Sequence, residues 1–297
     1  MWTCSGLKRR AKAVLSHTYG NSLGAVVIFF AIALGFSFVI GIFASIVILI
    51  TMQGTISSAS FSFSYSPSDL FSEISSGMMS VMAAAYIITL IAALLVIAPI
   101  KFGVDNFFLL NRSSAKNTDY TPLFYAFKNG RYGWMLRAIL WFFFWGFIFG
   151  MPMSLCEAGA KFIPQYVSSY YVGMYFKVFF SLLTIPAAVL AVYKTISYSM
   201  TPFILSDNPK IGARRALRLS ITMTKGHTGR IFLLALSFIG WILLGAVALG
   251  IGLLFVIPYI KATFTELYAQ LRDNALKSGE CTYRELNFAD PAGPDAT

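Results

Sequence analysis

Long apolar runs are the feature that most restricts how this chain can fold. Residues 23–50 contain no charged side chain, and a helix needs only about 20 apolar residues to cross the hydrocarbon core of a bilayer. Of all 297 residues, 57% are hydrophobic and 12% are charged, whereas soluble domains average about 45–50% and about 25%. The sequence therefore predicts an integral membrane protein and excludes a soluble fold.

The apolar stretches predict an all-α fold, a polytopic membrane helix bundle. The last stretch could form one long span or two short ones. Gly250 and Gly252 near its middle favour a break, because glycine readily ends a helix, so we predict six spans rather than five. A kink is expected at Pro186. The predicted spans are residues 23–52, 78–100, 134–153, 172–205, 231–249 and 253–271 of a single domain at residues 1–272, followed by a disordered cytoplasmic tail at residues 273–297.

The positions of the basic residues predict the orientation of the chain. The net charge of +11 could indicate nucleic acid, but the basic residues lie in short segments beside the apolar runs, which is the pattern of membrane topology. With six spans and a cytoplasmic N-terminus, only Lys161 and Lys177 fall on the outer side. We predict a multi-pass protein of the cytoplasmic membrane with both termini in the cytoplasm, whose partners are anionic lipid headgroups rather than nucleic acid.

A basic amphipathic segment precedes each pair of spans, so the chain is predicted to repeat one unit three times. The segments end near Gly20, Gly130 and Gly226. We expect each segment to form a helix in the plane of the lipid headgroups, followed by a hairpin of two spans. Asp207 or Asn208 is the expected cap of the last of these helices. The side chains predicted to contact headgroups are Arg9, Arg10, Arg214, Arg215 and Arg218.

Small side chains at four-residue spacing mark the predicted helix contacts. This spacing places them in one row, where the backbone of a second helix can approach closely. Such a row could pack within the chain, against a second copy or against another membrane protein, or it could line a pore. The residues predicted to serve helix packing are Ala33, Ser37, Gly41 and Ser45 in the first span, Gly146 and Gly150 in the third, and Gly240 in the fifth.

Polar side chains near the inner end of the fourth span mark a candidate cavity. If Lys194 and Tyr198 face the bundle interior, Lys194 could pair with Asp105 or Glu266, and these residues would line a cytoplasm-facing cavity. Alternatively, Lys194 and Tyr198 form an interfacial anchor. For Glu266 and Lys261 in the sixth span, we expect snorkelling towards the cytoplasmic surface.

The sequence predicts no catalytic site, no cofactor and no metal. Its cysteines and histidines are scattered, at Cys4, Cys156, Cys281, His17 and His227, which is not a metal-ligand or disulfide pattern. Neither a phosphate-binding loop nor the motif of a catalytic triad is present. A membrane-embedded enzyme needs convergent acid and base groups, and the spans offer few. We therefore expect a non-enzymatic protein.

Short motifs in the second half of the chain, with some N-terminal residues, resemble a known family. They are Tyr198–Ser199–Met200, Pro202, Asp207–Asn208–Pro209, Ser220, Met223, Lys225–Gly226, Phe232, Leu236–Ser237–Phe238–Ile239–Gly240–Trp241, Gly250, Gly252, Pro258–Tyr259 and Tyr268, with Leu7–Lys8, Ala11 and Tyr19. The family consists of bacterial integral membrane proteins, mainly of Gram-positive bacteria, catalogued only as a domain of unknown function. Lys261 departs from it, since the family tends to be polar but uncharged there. The resemblance implies a multi-span bacterial membrane protein and no assigned activity.

Two functions remain open on these grounds. The first is a non-enzymatic role in membrane organisation, lipid contact or binding to a membrane partner. The alternative is a small-solute transporter or exporter with a cytoplasm-facing cavity near Lys194 and Tyr198. Loss of a solute flux in Lys194→Ala and Tyr198→Ala variants that still fold would separate the two.

Overall fold

The computed structural model describes residues 2–60, 67–113, 119–128, 130–167, 169–247 and 250–287. Within these ranges the chain is helical and contains no strand. The α-helices are α1 (Cys4–Ser60), α2 (Pro67–Ala92), α3 (Ala98–Ser113), α4 (Tyr132–Phe162), α5 (Tyr170–Tyr198), α6 (Thr201–Asp207), α7 (Ala213–Thr224), α8 (Thr228–Leu236), α9 (Ile239–Val247) and α10 (Ile251–Lys277). Short 3-10 helices cover Thr121–Phe127, Ile163–Tyr166, Pro209–Ile211 and Arg284–Leu286.

Six helical segments among the described residues are long and apolar enough to cross a membrane. They are Cys4–Ile50, Met79–Ser113, Tyr132–Tyr166, Tyr170–Asp207, Thr228–Val247 and Ile251–Lys277. The last two are separated at Gly250, whose φ of +79° costs glycine no steric strain. The predicted all-α membrane helix bundle with six spans is confirmed, and the protein is a multi-pass integral membrane protein. The three-unit repeat stays a prediction.

Helices continue past two of the predicted ends, at Gly20 and at residue 271, while the bounds of the membrane spans stay predictions. Helix α1 passes through Gly20 without interruption, so the basic N-terminal segment and the first span form one helix. At the other end, α10 continues to Lys277. Cys281 and Leu286 are then buried, so the predicted disordered tail is ordered as far as residue 287. Residues 61–66 and 288–297 lie outside the described part of the chain.

A π-helical turn at Ala93–Ile97 joins α2 to α3, and Pro99 explains it. Proline has no N–H to donate to the carbonyl four residues earlier, which belongs to Leu95, and its ring crowds that turn. The hydroxyl of Tyr132 in α4 donates to the Leu95 carbonyl at 2.9 Å. A polar group that proline leaves free is thus satisfied by a neighbouring helix.

The buried residues gather near one end of the bundle, which we call the shared core. Its centre includes Leu7 of α1, Phe102 of α3, Ile204 of α6, Leu219 of α7 and Tyr268 of α10. Towards the other end, large apolar side chains of the spans are exposed, among them Phe38, Tyr86, Leu182 and Leu244. The spans therefore pack together at their charged ends and present apolar surface to the bilayer elsewhere.

The apolar faces predicted for two basic segments are covered by protein rather than by lipid. In α1, Leu7 and Ala11 are buried in the two hydrophobic clusters of the core. In α7, Ala216 and Leu219 are buried while Arg214 is exposed. The sequence pattern identified the buried face correctly, but amphipathicity alone does not say whether lipid or protein covers that face. For α7 the placement in the headgroup plane stays a prediction, whereas a separate in-plane helix at the N-terminus is wrong, because that segment continues into the first span as one helix.

The predicted small-residue contacts are not made within the described chain. Ser37, Gly41 and Ser45 are exposed and Ala33 is half-buried. A Cβ added at Gly146, Gly150 or Gly240 would meet nothing within 4 Å. One of the close approaches at a glycine lies between α9 and α10, where a Cβ on Gly252 would come within 2.7 Å of the Gly245 Cα. A role of the four-residue rows in helix packing stays a prediction, while the tight glycine pair flanks the turn at Gly250.

Candidate functional site: a cationic aromatic cavity

A cavity of about 480 Å³ opens between α4, α5 and α7. It contains both residues that the sequence placed near a cavity at the end of the fourth span, Lys194 and Tyr198. The complete lining is Trp141, Trp145, Phe149, Lys194, Tyr198, Arg214, Leu217, Arg218 and Ile221. Its chemistry is therefore that of cationic side chains set among aromatic and aliphatic ones.

Aromatic rings hold two of the cations in place. The Lys194 ammonium lies 4.4 Å from the centre of the Phe149 ring, and the Arg214 guanidinium lies 4.9 Å from the centre of the Trp141 ring. A cation over an aromatic face gains about 0.5–2 kcal/mol, but the ring carries no net charge. These contacts orient the cations without neutralising them.

The end of α5 positions α7 beside the cavity. The Ser197 carbonyl, in the last turn of α5, accepts hydrogen bonds from the hydroxyls of Ser220 at 2.7 Å and Thr224 at 3.4 Å. Carbonyls at a helix C-terminus need such outside donors. With the buried side of α7 fixed in this way, Arg214 and Arg218, one turn apart, face the cavity together.

The described lining of the cavity is cationic and has no side chain suited to act as a general acid or base near neutral pH. Among its described lining residues there is no carboxylate and no histidine. Lys194, Arg214 and Arg218 supply three positive charges and a large number of hydrogen-bond donors, but no acceptors. Elsewhere in the described ranges, no group of three His, Cys, Asp or Glu side chains is placed to hold a metal ion.

The two acidic residues predicted for this cavity lie elsewhere. Asp105 forms an ion pair with Lys261, and the Glu266 carboxylate accepts a 2.8 Å hydrogen bond from Arg112 Nε. The expected pairing of Lys194 with Asp105 or Glu266 is therefore wrong. So is the expectation that Lys261 and Glu266 snorkel to the surface, because both reach partners on α3 instead.

These contacts belong to a polar seam that joins α10 and α1 to α3. Asp105 and Glu266 are almost fully buried, so each carboxylate requires the cation beside it. On the α1 side, the Asn111 amide donates to the hydroxyls of Thr18 at 2.9 Å and Ser22 at 3.1 Å. Such satisfied buried polar groups fix the relative position of the three helices.

The five arginines predicted to contact headgroups have different environments. Arg9 is exposed, and Arg10 donates to Gln270 at 3.1 Å. Arg214 and Arg218 line the cavity. Arg215 donates two hydrogen bonds to the Glu285 carboxylate, from Nε to Oε1 at 2.5 Å and from Nη2 to Oε2 at 3.0 Å. This ion pair connects the C-terminal segment to α7.

Asp207 and Asn208 do not cap α7 as predicted. Asp207 accepts hydrogen bonds from the Tyr268 hydroxyl at 2.5 Å and from Arg272 at 3.2 Å. Asn208 caps the short 3-10 helix at Pro209–Ile211 instead, accepting from the Lys210 N–H at 2.9 Å. Helix α7 begins only at Ala213, after Gly212.

A second, polar cavity of about 660 Å³ lies beside Asp207 and was not predicted. Its charged lining residues are Asp119, Lys128, Arg131 and Asp207, and Leu286 and Asn287 of the C-terminal segment form one wall. The charges of both signs come from segments far apart in the sequence, so no local pattern could have revealed this cavity.

The aromatic wall of the first cavity was also missed, although the sequence contains its signal. Trp141, Trp145 and Phe149 follow one another at four-residue steps in α4, so they share one helix face. This spacing marks a large, rigid face against which the cations of α5 and α7 pack.

Comparison with known proteins assigns the chain to a family without assigning an activity. The model of the family described as "Protein of unknown function (DUF975)" matches residues 1–275, which include the whole cavity and all of the six spans except the last two residues of the sixth. No curated protein and no solved structure matches the chain. Since the match covers nearly all of its 297 residues, the chain belongs to this family of unknown function, as its resemblance predicted.

Proposed function

We propose that this protein is a non-enzymatic protein of the bacterial cytoplasmic membrane that binds the anionic headgroup of a lipid in the cavity between α4, α5 and α7. Both termini then lie in the cytoplasm. The observation that carries the proposal is the convergence of Lys194, Arg214 and Arg218 on one aromatic-walled cavity whose described lining has no carboxylate.

The position of the cavity supports a lipid rather than a protein segment as the ligand. Lys194 and Tyr198 lie in the last two turns of α5, where a span approaches the headgroup layer. Tryptophan and tyrosine are enriched at this level of a membrane protein. The cytoplasmic leaflet supplies anionic headgroups at high local concentration. A cationic cavity at the end of a span can therefore be filled by lateral diffusion of lipid.

Lipid retention tests the proposal. The purified protein in nanodiscs of neutral lipid with a minor fraction of an anionic lipid is compared with an Arg214→Ala/Arg218→Ala variant, and bound anionic lipid is counted by native mass spectrometry. The matched control is Arg9→Ala/Lys225→Ala, which removes two exposed cations outside the cavity. We expect at least a tenfold loss of affinity in the first variant only. Equal losses in both would overturn the proposal, because they would indicate a diffuse surface attraction.

Solute transport is the second candidate function, and the presence of Lys194 and Tyr198 in one open cavity favours it. Transport requires that Lys194→Ala or Tyr198→Ala abolish a flux across proteoliposomes. Lipid binding requires no flux. A search for export of small anions from proteoliposomes, run with the same variants, distinguishes the two.

A further inference from the structure

We propose that the cavity prefers a phosphomonoester, a phosphate joined to the rest of the ligand through a single ester bond, over a phosphodiester. This inference rests on the proposed function and specifies the headgroup that the site takes. A phosphomonoester occurs both in lipids such as phosphatidic acid and in soluble metabolites, and the shared chemistry is what the site recognises.

The charge of the cavity is the first argument. Lys194, Arg214 and Arg218 together carry three positive charges among lining residues without a carboxylate. A phosphomonoester carries about −1.5 to −2 at pH 7, whereas a phosphodiester carries a single negative charge. The dianion therefore neutralises more of the cavity's charge than a monoanion can.

The number of hydrogen-bonding atoms is the second argument. A phosphomonoester presents three terminal oxygens, and a phosphodiester presents two. The cavity offers three separate cationic groups on two helices, with Arg214 and Arg218 on α7 facing Lys194 on α5. Each terminal oxygen of the monoester can thus accept charge-assisted hydrogen bonds from a different side chain.

The aromatic wall leaves the donors available. The Trp141 ring packs against the Arg214 guanidinium, and the Phe149 ring lies below the Lys194 ammonium. A ring on one side of the guanidinium makes no hydrogen bond to its N–H groups, which lie in the guanidinium plane and can bind two oxygens at once. The stacked rings also shield one side of the site from water, which strengthens ionic hydrogen bonds there.

Size is consistent with a headgroup that enters phosphate first. A ligand pocket has a volume of about 300–1,000 Å³, and the cavity has about 480 Å³. This volume holds a phosphate and the first carbons attached to it. The longer remainder of a lipid would extend along the apolar surface of α4 and α5.

The test compares headgroups and pH in one experiment. The full-length protein in nanodiscs of phosphatidylcholine is given equal mole fractions of phosphatidic acid or phosphatidylglycerol, at pH 7.5 and pH 5. We expect phosphatidic acid to bind at least tenfold more tightly at pH 7.5. That preference should shrink severalfold at pH 5, because the second pKa of a phosphomonoester is about 6, and phosphatidylglycerol binding should change little.

Variants assign the preference to the cavity. Arg218→Ala should lower the phosphatidic acid preference severalfold, Arg218→Lys should restore part of it, and Lys225→Ala at the exposed end of α7 should leave it unchanged. Glycerol 3-phosphate and inorganic phosphate are added as soluble competitors. Displacement by glycerol 3-phosphate supports a site for soluble phosphomonoesters, and failure of both competitors, together with the phosphatidic acid preference, supports a site for the lipid. Displacement by inorganic phosphate alone, which has no ester bond, would overturn the phosphomonoester assignment.

The failures of the two proposals are distinguishable. Equal binding of phosphatidic acid and phosphatidylglycerol, both above phosphatidylcholine, overturns the phosphomonoester preference and leaves headgroup binding standing. Binding of neither anionic lipid above phosphatidylcholine overturns both. A phosphatidic acid preference that survives in Arg214→Ala/Arg218→Ala also overturns the present inference, because the selectivity would then reside elsewhere.

Discussion

Glu266 of α10 accepts a 2.8 Å hydrogen bond from Arg112 of α3, although only 4% of Glu266 is exposed. In a second ion pair the acid, Asp105, lies on α3 and the base, Lys261, lies on α10. Each helix thus contributes one acid and one base. These two ion pairs of opposite polarity specify one register for the two helices, because sliding either helix by a turn would leave buried charges unmatched.

Removal of one partner of this arrangement should destabilise the fold more than removal of both. Glu266→Ala leaves the Arg112 guanidinium without its acceptor, and since about a third of the Arg112 side chain is exposed, we expect a loss of about 1–3 kcal/mol. The variant Arg112→Leu/Glu266→Leu should lose less. Thermal unfolding in nanodiscs measures both. A double variant less stable than Glu266→Ala would contradict this account.

The ion pair between Arg215 of α7 and Glu285 of the C-terminal segment should weaken in acid. Hydrogen bonds from Arg215 hold the pKa of Glu285 below its usual value, against the opposing effect of burial. The stabilisation is therefore fully present above about pH 4.3, the ordinary pKa of glutamate, and is lost as the pH falls through the lowered value. Since both side chains are partly exposed, it amounts to about 0.2–1 kcal/mol.

Labelling of Cys281 tests this ion pair at neutral pH. Burial, as the largest cause, raises the pKa of its thiol to about 11, so little thiolate is present and a maleimide should react slowly. In a Cys4→Ser/Cys156→Ser background, Arg215→Ala should release the segment and speed the reaction severalfold, while Arg214→Ala should not. For the acid dependence, a nitroxide at Glu280→Cys, in a background that also carries Cys281→Ser, should become more mobile below about pH 4. Unchanged labelling in Arg215→Ala would argue against the ion pair.

A methyl group at Gly252 should disrupt the last hairpin. A Cβ there would lie 2.7 Å from the Gly245 Cα, and since backbone cannot move aside cheaply, we expect a loss of about 1–3 kcal/mol. Gly240→Ala is the control, because a Cβ at that position meets nothing within 4 Å. Thermal unfolding should show a lower midpoint for Gly252→Ala alone. Equal effects of the two substitutions would refute the close contact.

The hydroxyl of Tyr132 should stabilise the fold only while Pro99 is present. Tyr132→Phe removes the donor to the Leu95 carbonyl and should cost about 1 kcal/mol. In a Pro99→Ala background the alanine N–H can donate a hydrogen bond to the Leu95 carbonyl. Tyr132→Phe should therefore reduce the stability much less in that background. A double-mutant cycle in thermal unfolding measures the coupling. Additive effects would show that Pro99 does not create the need for Tyr132.

The sequence predicted those features of the fold that depend on local composition. The lengths of the apolar runs were enough to predict six spans, and Gly250 marked the break between the last two. Gly20 was not a break, because one glycine inside a strongly helical stretch costs only about 1 kcal/mol. The order of the C-terminal segment was missed because it depends on burial of Cys281 and Leu286 against helices distant in sequence.

The candidate site was predicted in part for the same reason. Lys194 and Tyr198 stood out as polar residues near the end of a span, and the four-residue spacing of Trp141, Trp145 and Phe149 was available. The partners of Lys194 were predicted wrongly, because opposite charge identifies possible pairs without saying which helices become neighbours. Only the three-dimensional arrangement shows that Asp105 lies beside Lys261.

The central claim is that an anionic headgroup occupies the cavity of Lys194, Arg214 and Arg218, and photo-crosslinking tests it most directly. Phosphatidic acid with a diazirine close to its headgroup is incorporated into nanodiscs with the protein, irradiated, and the labelled peptides are identified by mass spectrometry. The account predicts labels concentrated on residues 141–149 and 214–221 and lost in Arg214→Ala/Arg218→Ala. Labels confined to the basic start of α1, or unchanged in that variant, would contradict it.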